Sequence, residues 1–155
     1  MGGSAIHARA HVSLVRVALQ QHWRRHWLNA GNWYLTGYWE LGVSYWYGRA
    51  GNTGIDHLDA VDFRPVLRRQ SAAHSEPLEF YLEAGVGPAL LSSTQIEGRR
   101  FSTAFQFGSH VGIGMRFGPE HRYELAYRLM HYSNADIKKP NHGITFNVLQ
   151  LGARF

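Results

Sequence analysis

The chain has 155 residues, which suffices for one domain, residues 1–155, and is short for two. With 17% charged residues, 14% aromatic residues and no cysteine, the composition excludes a disordered chain, a disulfide-stapled scaffold and a thiolate metal site. The 16 Lys and Arg exceed the 11 Asp and Glu. Eight of these cations form pairs between periodic segments, Arg24-Arg25, Arg68-Arg69, Arg99-Arg100 and Lys138-Lys139, which favours contact with an anionic lipid surface over binding of nucleic acid.

Alternation of apolar and polar residues with a period of two predicts long strands along most of the chain. In chain order they cover His11–Gln21, Trp33–Tyr45, Gly54–Arg68, Leu78–Leu90, Phe105–Phe117, His121–Ser133 and Gly143–Phe155. Their 11 to 15 residues exceed the roughly 5–6 of globular strands, whereas a tilted strand that crosses a bilayer needs about 9–11. No run of about 18 apolar residues is present, so a transmembrane helix is not expected.

The polar faces of these strands combine small glycines with charged side chains, which is typical of a narrow lumen filled by side chains. A buried network of ion pairs is expected there, formed by Glu40, Glu83, Glu124, Arg116 and Arg128. We therefore predict an all-β fold, an eight-stranded antiparallel transmembrane β-barrel whose apolar and aromatic face contacts lipid. The alternative is a soluble lipocalin-like barrel, in which the aromatic face would point inward around an apolar ligand.

Seven strands are clear, and bacterial barrels have an even number. A short or truncated ascending strand is therefore expected within residues 2–8. The chain begins without the apolar segment of a secretory signal peptide, which we interpret as removal or truncation. The last strand ends in Phe155, and a tight turn at Phe117–Glu120 contrasts with longer polar connections near residues 92–100 and 134–142. These features are typical of bacterial outer-membrane proteins, so the outer membrane is the predicted location.

His131 and Ser133 are two residues apart on one predicted strand, so their side chains point the same way. They lie on the lipid-facing side at the loop end, near the boundary of the outer leaflet. A histidine beside a serine can accept the hydroxyl proton and so prepare attack on an ester carbonyl, and Asn134 and Asn141 are candidates to stabilise the oxyanion. On spacing alone, the alternative is a surface His–Ser hydrogen bond at the headgroup level.

The residues around this pair resemble a known family. His131–Ala135 and Ile137–Gly143 are similar to the signature of the outer-membrane lipid A 3-O-deacylases of the PagL family. Gly37–Glu40, Glu83–Gly87 and Phe105–His110 extend the resemblance upstream. It implies a serine esterase that hydrolyses the ester-linked hydroxyacyl chain at position 3 of lipid A in the outer leaflet.

The resemblance also implies roles for individual residues. Ser133 would be the nucleophile and His131 the general base, with Asn134 and Asn141 as oxyanion or supporting groups. The position of the family's acidic triad member is occupied by Thr145, which is a departure from the family pattern. A hydroxyl can hydrogen-bond an imidazole but cannot stabilise an imidazolium as a carboxylate does.

Three explanations of this departure remain open. Thr145 orients the imidazole in a weaker dyad, Asp136 supplies the charge from the loop, or the chain is a catalytically impaired or non-enzymatic outer-membrane barrel with a structural role. We expect a Ser–His enzyme of reduced or variant efficiency. Lys138 and Lys139, which flank the site, are expected to contact the phosphates of lipid A.

No cofactor or metal is expected. Two histidine pairs are spaced four apart, His7 with His11 and His22 with His26, but four residues of a strand span about 13 Å, which is too far for one ion. The expected partners are lipid A, the lipids of the outer membrane and, as a candidate assembly, a second copy in a homodimer.

Overall fold

The structure, a computed structural model, describes residues 2–5, 12–48, 55–71 and 77–155. The strands are β1 (Gly2–Ala5), β2 (Ser13–His22), β3 (Trp27–Ala30), β4 (Trp33–Tyr47), β5 (His57–Ser71), β6 (Leu78–Leu91), β7 (Gln95–Ile96), β8 (Arg99–Arg100), β9 (Phe105–Phe117), β10 (Tyr123–Ser133) and β11 (Ile144–Ala153). A 3₁₀ turn at Pro119–His121 lies between β9 and β10. Within these ranges, no helix has the length and apolar character needed to cross a membrane.

Eight of the described strands pair edge to edge in an antiparallel ring. The order is β1, β2, β4, β5, β6, β9, β10 and β11, and β1 completes the ring because it pairs with both β2 and β11. The other three are accessory, since β3 pairs with the start of β4, and β7 and β8 form a separate hairpin. The predicted eight-stranded barrel and the short first strand within residues 2–8 are both confirmed.

Successive connections lie at opposite ends of the barrel because each strand reverses the direction of the one before. The connections at 92–104 and 134–143 share one end, which we call the outer end. The connections at 23–32 and 118–122 lie at the opposite end, together with the end of β11.

Side chains alternate between the lumen and the outer face of the barrel. In β10 the even-numbered residues are buried, and the odd-numbered residues are exposed or half-buried. Apolar residues that point outward remain exposed, among them Val17 at 71%, Leu19 at 65% and Leu151 at 69%. A belt of exposed apolar side chains is what a lipid-facing wall requires, and it excludes the lipocalin-like alternative.

Ion pairs fill the lumen, as predicted, and the network is larger than expected. Among the described residues its cations are Arg16, Arg64, Arg68, Arg116 and Arg128, and its anions are Glu40, Asp62, Glu79, Glu83 and Glu124. Arg128 lies at its centre and donates to Glu40 at 2.8 Å and to Glu83 at 2.6 Å. Arg68 joins Glu83 to Glu124, each at 2.8 Å. Five cations therefore face five anions, so the network is neutral.

Glycines on the lumen face make room for these large side chains. A Cβ on Gly42 would overlap the guanidinium of Arg16, and one on Gly114 would overlap the ring of Tyr81. Replacement of either glycine would therefore displace a buried side chain.

The basic pair Arg68-Arg69 was expected between strands, and this prediction is wrong. Both residues lie within β5, where Arg68 is buried in the lumen and Arg69 is exposed on the outer face. Strand alternation explains the arrangement, because two neighbouring residues must point to opposite sides of the wall.

Aromatic side chains close the outer end of the lumen. The ring of Trp46 lies 4.8 Å from that of Tyr132, 4.9 Å from that of Phe146 and 6.3 Å from that of Phe101, measured between centroids. All four are fully buried. We call this group the apolar cap. It separates the ion pairs below from the outer connections. The strand pattern predicted a polar lumen, whereas the outer end of the lumen is apolar.

The histidine pairs contribute to packing where they are described. The His22 ring contacts Tyr38, and the His26 ring contacts Tyr34 with centroids 4.4 Å apart. His7 and His11 lie outside the described residues. In the part of the chain that the structure covers, no three His, Cys, Asp or Glu side chains are grouped so as to hold a metal ion.

Candidate active site

Three polar side chains meet on the outer face of the barrel at its outer end. His131 on β10 lies directly opposite Thr145 on β11, and Nδ1 of His131 is 2.8 Å from Oγ1 of Thr145. Ser133 follows two residues later on β10, faces the same side and is half-buried. The strand pair thus presents a serine, a histidine and a threonine outside the lumen, on the face that carries the exposed apolar belt.

The other edge of the His131 ring lies against the backbone of Gly143. A Cβ placed on Gly143 would be 2.9 Å from Cε1 and 3.2 Å from Nε2 of that ring. Real Cβ atoms are essentially never found that close to another heavy atom, so a side chain here would push the ring away. Thr145 therefore contacts the ring at Nδ1, and Gly143 lies along its Cε1–Nε2 edge.

A cavity of about 850 Å³ opens beside these residues. His131, Ser133 and Thr145 line it, together with the turn at Glu97–Arg99 and part of the 134–143 connection. Its volume falls within the roughly 300–1,000 Å³ typical of small-molecule sites.

Two asparagines fix the connection that follows β10. Asn134 is fully buried, and its Nδ2 donates to the carbonyls of Phe101 at 2.9 Å and Lys138 at 2.7 Å. Its backbone N–H donates to Oδ1 of Asn141 at 3.2 Å, and Nδ2 of Asn141 donates to Asp136 at 3.2 Å. The donors of Asn134 are therefore engaged within its own loop and with the 92–104 connection, so of its two predicted roles it fits the supporting one.

Ala135 and Asp136 form a tight turn at the edge of the cavity. Ile137 donates its backbone N–H to the carbonyl of Asn134 at 3.1 Å, and the two central residues have φ angles of 52° and 61°. Positive φ at both central positions is the signature of a type I′ turn. The structure gives the backbone N–H groups of Ala135 and Asp136 no partner within its described ranges, and both residues line the cavity.

Comparison with known proteins identifies the family. The family model for lipid A 3-O-deacylase (PagL) matches residues 13–154. The chain belongs to the PagL family. A lipid A deacylase PagL of Bordetella bronchiseptica is 38% identical over 112 residues, and one of Pseudomonas aeruginosa is 33% identical over 129 residues. These matches cover 72% and 83% of this chain.

The relatives are longer than the matched region. The Bordetella match covers 57% of that protein, little more than half, and the Pseudomonas match covers 70%. The crystal structure of the outer membrane enzyme PagL superposes with a TM-score of 0.82 at 25% identity, over 99% of this chain and 97% of that one. Like the outer membrane enzyme, this PagL family member is a barrel of the bacterial outer membrane, as the sequence predicted.

The remaining predicted residues of this family member fall around the cavity or outside it. Asp136 and Asn141 line it, whereas Lys138 and Lys139 are exposed and do not. Arg99, which the hairpin β7–β8 brings to the cavity wall, was not among the predicted site residues. This hairpin shows no period-two pattern, and the basic pair Arg99-Arg100 was its only signal.

Proposed function

We propose that the chain is a lipid A 3-O-deacylase that hydrolyses the ester-linked hydroxyacyl chain at position 3 of lipid A by serine catalysis. The observation that carries the proposal is the group of His131, Ser133 and Thr145 on the lipid-facing side of the barrel, beside an open cavity at the outer end. Membership of the PagL family supports the same substrate. A narrow lumen filled with ion pairs leaves the outer wall as the surface that a lipid can approach.

The chemistry begins with proton transfer from Ser133 to Nε2 of His131 as the serine oxygen attacks the ester carbonyl. The tetrahedral intermediate collapses when His131 returns this proton to the departing sugar oxygen, which leaves as an alcohol. The acyl chain stays bound to Ser133. A water molecule then gives a proton to His131 and attacks the acyl-serine. His131 returns this proton to the serine oxygen as the intermediate collapses, which releases a hydroxy fatty acid and restores the Ser133 hydroxyl and the neutral imidazole.

The oxyanion that forms during attack requires hydrogen-bond donors placed in advance. We assign this role to the backbone N–H groups of Ala135 and Asp136, because they border the cavity and have no partner in the described ranges. Asn141 supports them, since its side chain joins the backbone of Asn134 to the carboxylate of Asp136.

Thr145 takes the place of the acid in this proposal. In this role its hydroxyl, 2.8 Å from Nδ1 of His131, accepts the Nδ1–H hydrogen bond, and Nε2 is then the base. It carries no charge to stabilise the imidazolium, so we expect a slower enzyme than one with a carboxylate. Asp136 is the alternative acid, although the structure pairs its carboxylate with Asn141.

Replacement of Thr145 by glutamate is expected to raise kcat for lipid A deacylation by about 10–100-fold, because a carboxylate at this position would stabilise the imidazolium. Steady-state kinetics of the purified barrel measure the effect. Thr145→Gln is the matched control, since it has the same size and no charge. An equal gain in both variants, or a gain in neither, would place the acid elsewhere, with Asp136→Asn as the next variant to measure.

Mass spectrometry of lipid A tests the function itself. Lipid A from cells that express the chain is expected to lose the mass of one hydroxyacyl chain, in comparison with cells that carry an empty vector. Unchanged lipid A, with the barrel folded in the outer membrane, would favour the alternative of a non-enzymatic structural barrel.

Two partner assignments belong to this proposal. Lys138 and Lys139, exposed beside the cavity, are candidates to contact the phosphates of lipid A once it is bound. A homodimer in the membrane stays a prediction.

A further inference from the structure

The hairpin β7–β8 is held over the active-site loop by a set of hydrogen bonds. Its turn residues Glu97 and Gly98 have φ angles of 46° and 76°, which permit a two-residue type I′ turn. The backbone N–H of His142 donates to the carbonyl of Arg100 at 3.2 Å, and that of Arg100 donates to Nδ1 of His142 at 3.3 Å. The hairpin therefore adds to the wall of the cavity and also braces the segment just before β11.

Arg99 makes the closest contacts in this brace. Its Nη1 donates to the carbonyl of His142 at 2.8 Å and to that of Gly143 at 2.7 Å. A single guanidinium nitrogen thus bridges two consecutive carbonyl groups and fixes the orientation of the peptide between them. Partial burial lowers the pKa of Arg99, but the side chain stays charged at any physiological pH, so these hydrogen bonds are charge-assisted.

The backbone that Arg99 holds is the one that lies against the catalytic histidine. Gly143 approaches so closely that a Cβ there would be 2.9 Å from Cε1 of His131. Thr145, which bonds the other edge of the ring, is two residues further along the same segment. Any shift of the 142–143 backbone would therefore move both the surface that limits the ring and the hydroxyl that orients it.

We infer that Arg99 is a positioning residue, which holds the 142–143 backbone against His131 and so keeps the imidazole aligned between Thr145 and Ser133. This inference rests on the proposed function of His131 and Ser133. It assigns to Arg99 no contact with the substrate. Loss of its two hydrogen bonds should slow proton transfer and leave substrate binding nearly unchanged.

Arg100 provides a matched control on the same hairpin. It carries the same charge, its side chain is exposed, and its contacts with His142 are made by backbone atoms that a substitution retains. Arg99→Met removes the hydrogen-bond donors and keeps the side chain at nearly the same length. Arg100→Met removes the same charge and leaves the hydrogen bonds of Arg99 to the carbonyls of His142 and Gly143 in place. Arg99→Lys keeps a charged donor and should restore part of the effect.

The experiment measures these three variants and the wild-type protein in two assays. The first is the rate at which a fluorophosphonate probe labels the active serine, which reports the Ser–His geometry without lipid A. The second is the deacylation of diphosphoryl lipid A and of monophosphoryl lipid A that lacks the phosphate at position 1. The difference in gel mobility between heated and unheated samples verifies that each barrel is folded.

For Arg99→Met, labelling and kcat are both expected to fall by about 10–100-fold, on both lipids, with KM changed less than about twofold, because small misplacements of catalytic groups have effects of this size. Arg100→Met should match the wild type, and Arg99→Lys should lie between. A rise in KM on diphosphoryl lipid A alone would overturn the inference, because it would make Arg99 a phosphate contact. Equal losses in Arg99→Met and Arg100→Met, or no loss in either, would overturn it too.

The two assays separate this inference from the proposed function. A wild-type protein that is labelled but leaves lipid A intact would overturn the assigned substrate, while the labelling rates would still test Arg99. A wild-type protein that is neither labelled nor active would overturn both.

Discussion

Replacing Ser133 with alanine is expected to abolish deacylation of lipid A, with kcat lowered by about 10⁴-fold or more. The serine oxygen is the atom that forms the acyl-enzyme, and no second nucleophile in the proposed mechanism can replace it. The side chain is half-buried at the end of β10, so removal of one oxygen should leave the barrel intact. Release of hydroxy fatty acid from purified lipid A, measured by mass spectrometry, determines the loss.

Ser109 offers a matched control for this variant. It lies on β9 directly opposite His131 in the register, and it is half-buried like Ser133. Ser109→Ala should retain nearly full activity because the residue has no part in the proposed reaction. A large loss in Ser109→Ala with activity retained in Ser133→Ala would show that the nucleophile had been assigned to the wrong strand.

Replacing Arg128 with methionine is expected to lower the free energy of unfolding by about 3–5 kcal/mol. Arg128 is fully buried and donates to Glu40, Glu83 and the hydroxyl of Tyr38, so its loss leaves the buried network with one negative charge in excess. Unfolding in urea, followed by the change in gel mobility of the folded barrel, measures the difference.

Two further variants show whether charge balance is the cause. Arg122→Met removes an exposed arginine at the opposite end from the active site, and it should change the unfolding free energy by less than about 0.5 kcal/mol. Arg128→Met combined with Glu83→Gln should be less destabilised than the sum of the two single variants, because the pair loses one charge of each sign. If the losses of unfolding free energy in the two single variants simply added up in the double variant, charge balance would not be what stabilises the network.

Strand positions could be predicted from the sequence wherever the alternation was uninterrupted. β9 was predicted as Phe105–Phe117 and has those bounds, whereas β10 begins two residues later than predicted because Pro119–His121 forms a 3₁₀ turn. β5 was displaced by three residues. At its ends the alternation is reversed or lost, because Leu58 and Ala60 point inward whereas Asp59 and Arg69 point outward.

Only the site residues that are close together in the sequence could be predicted from it. His131 and Ser133 are two residues apart on one strand, so their common side followed from the geometry of the strand alone, while Thr145 entered through the family resemblance. Arg99 could not be found in this way. It contacts backbone carbonyls 43 and 44 residues further along the chain, and backbone atoms leave no mark on the side-chain pattern.

The apolar cap determines how material moves around this barrel. The ring centroids of Tyr132 and Phe146 both lie less than 5 Å from that of Trp46. An ion that entered from outside would have to displace these rings before it reached the arginines below. The cap thus closes the lumen from the outer side. Under the proposed function, lipid A therefore reaches the site, and the freed fatty acid leaves it, along the outer wall within the leaflet and not through the lumen.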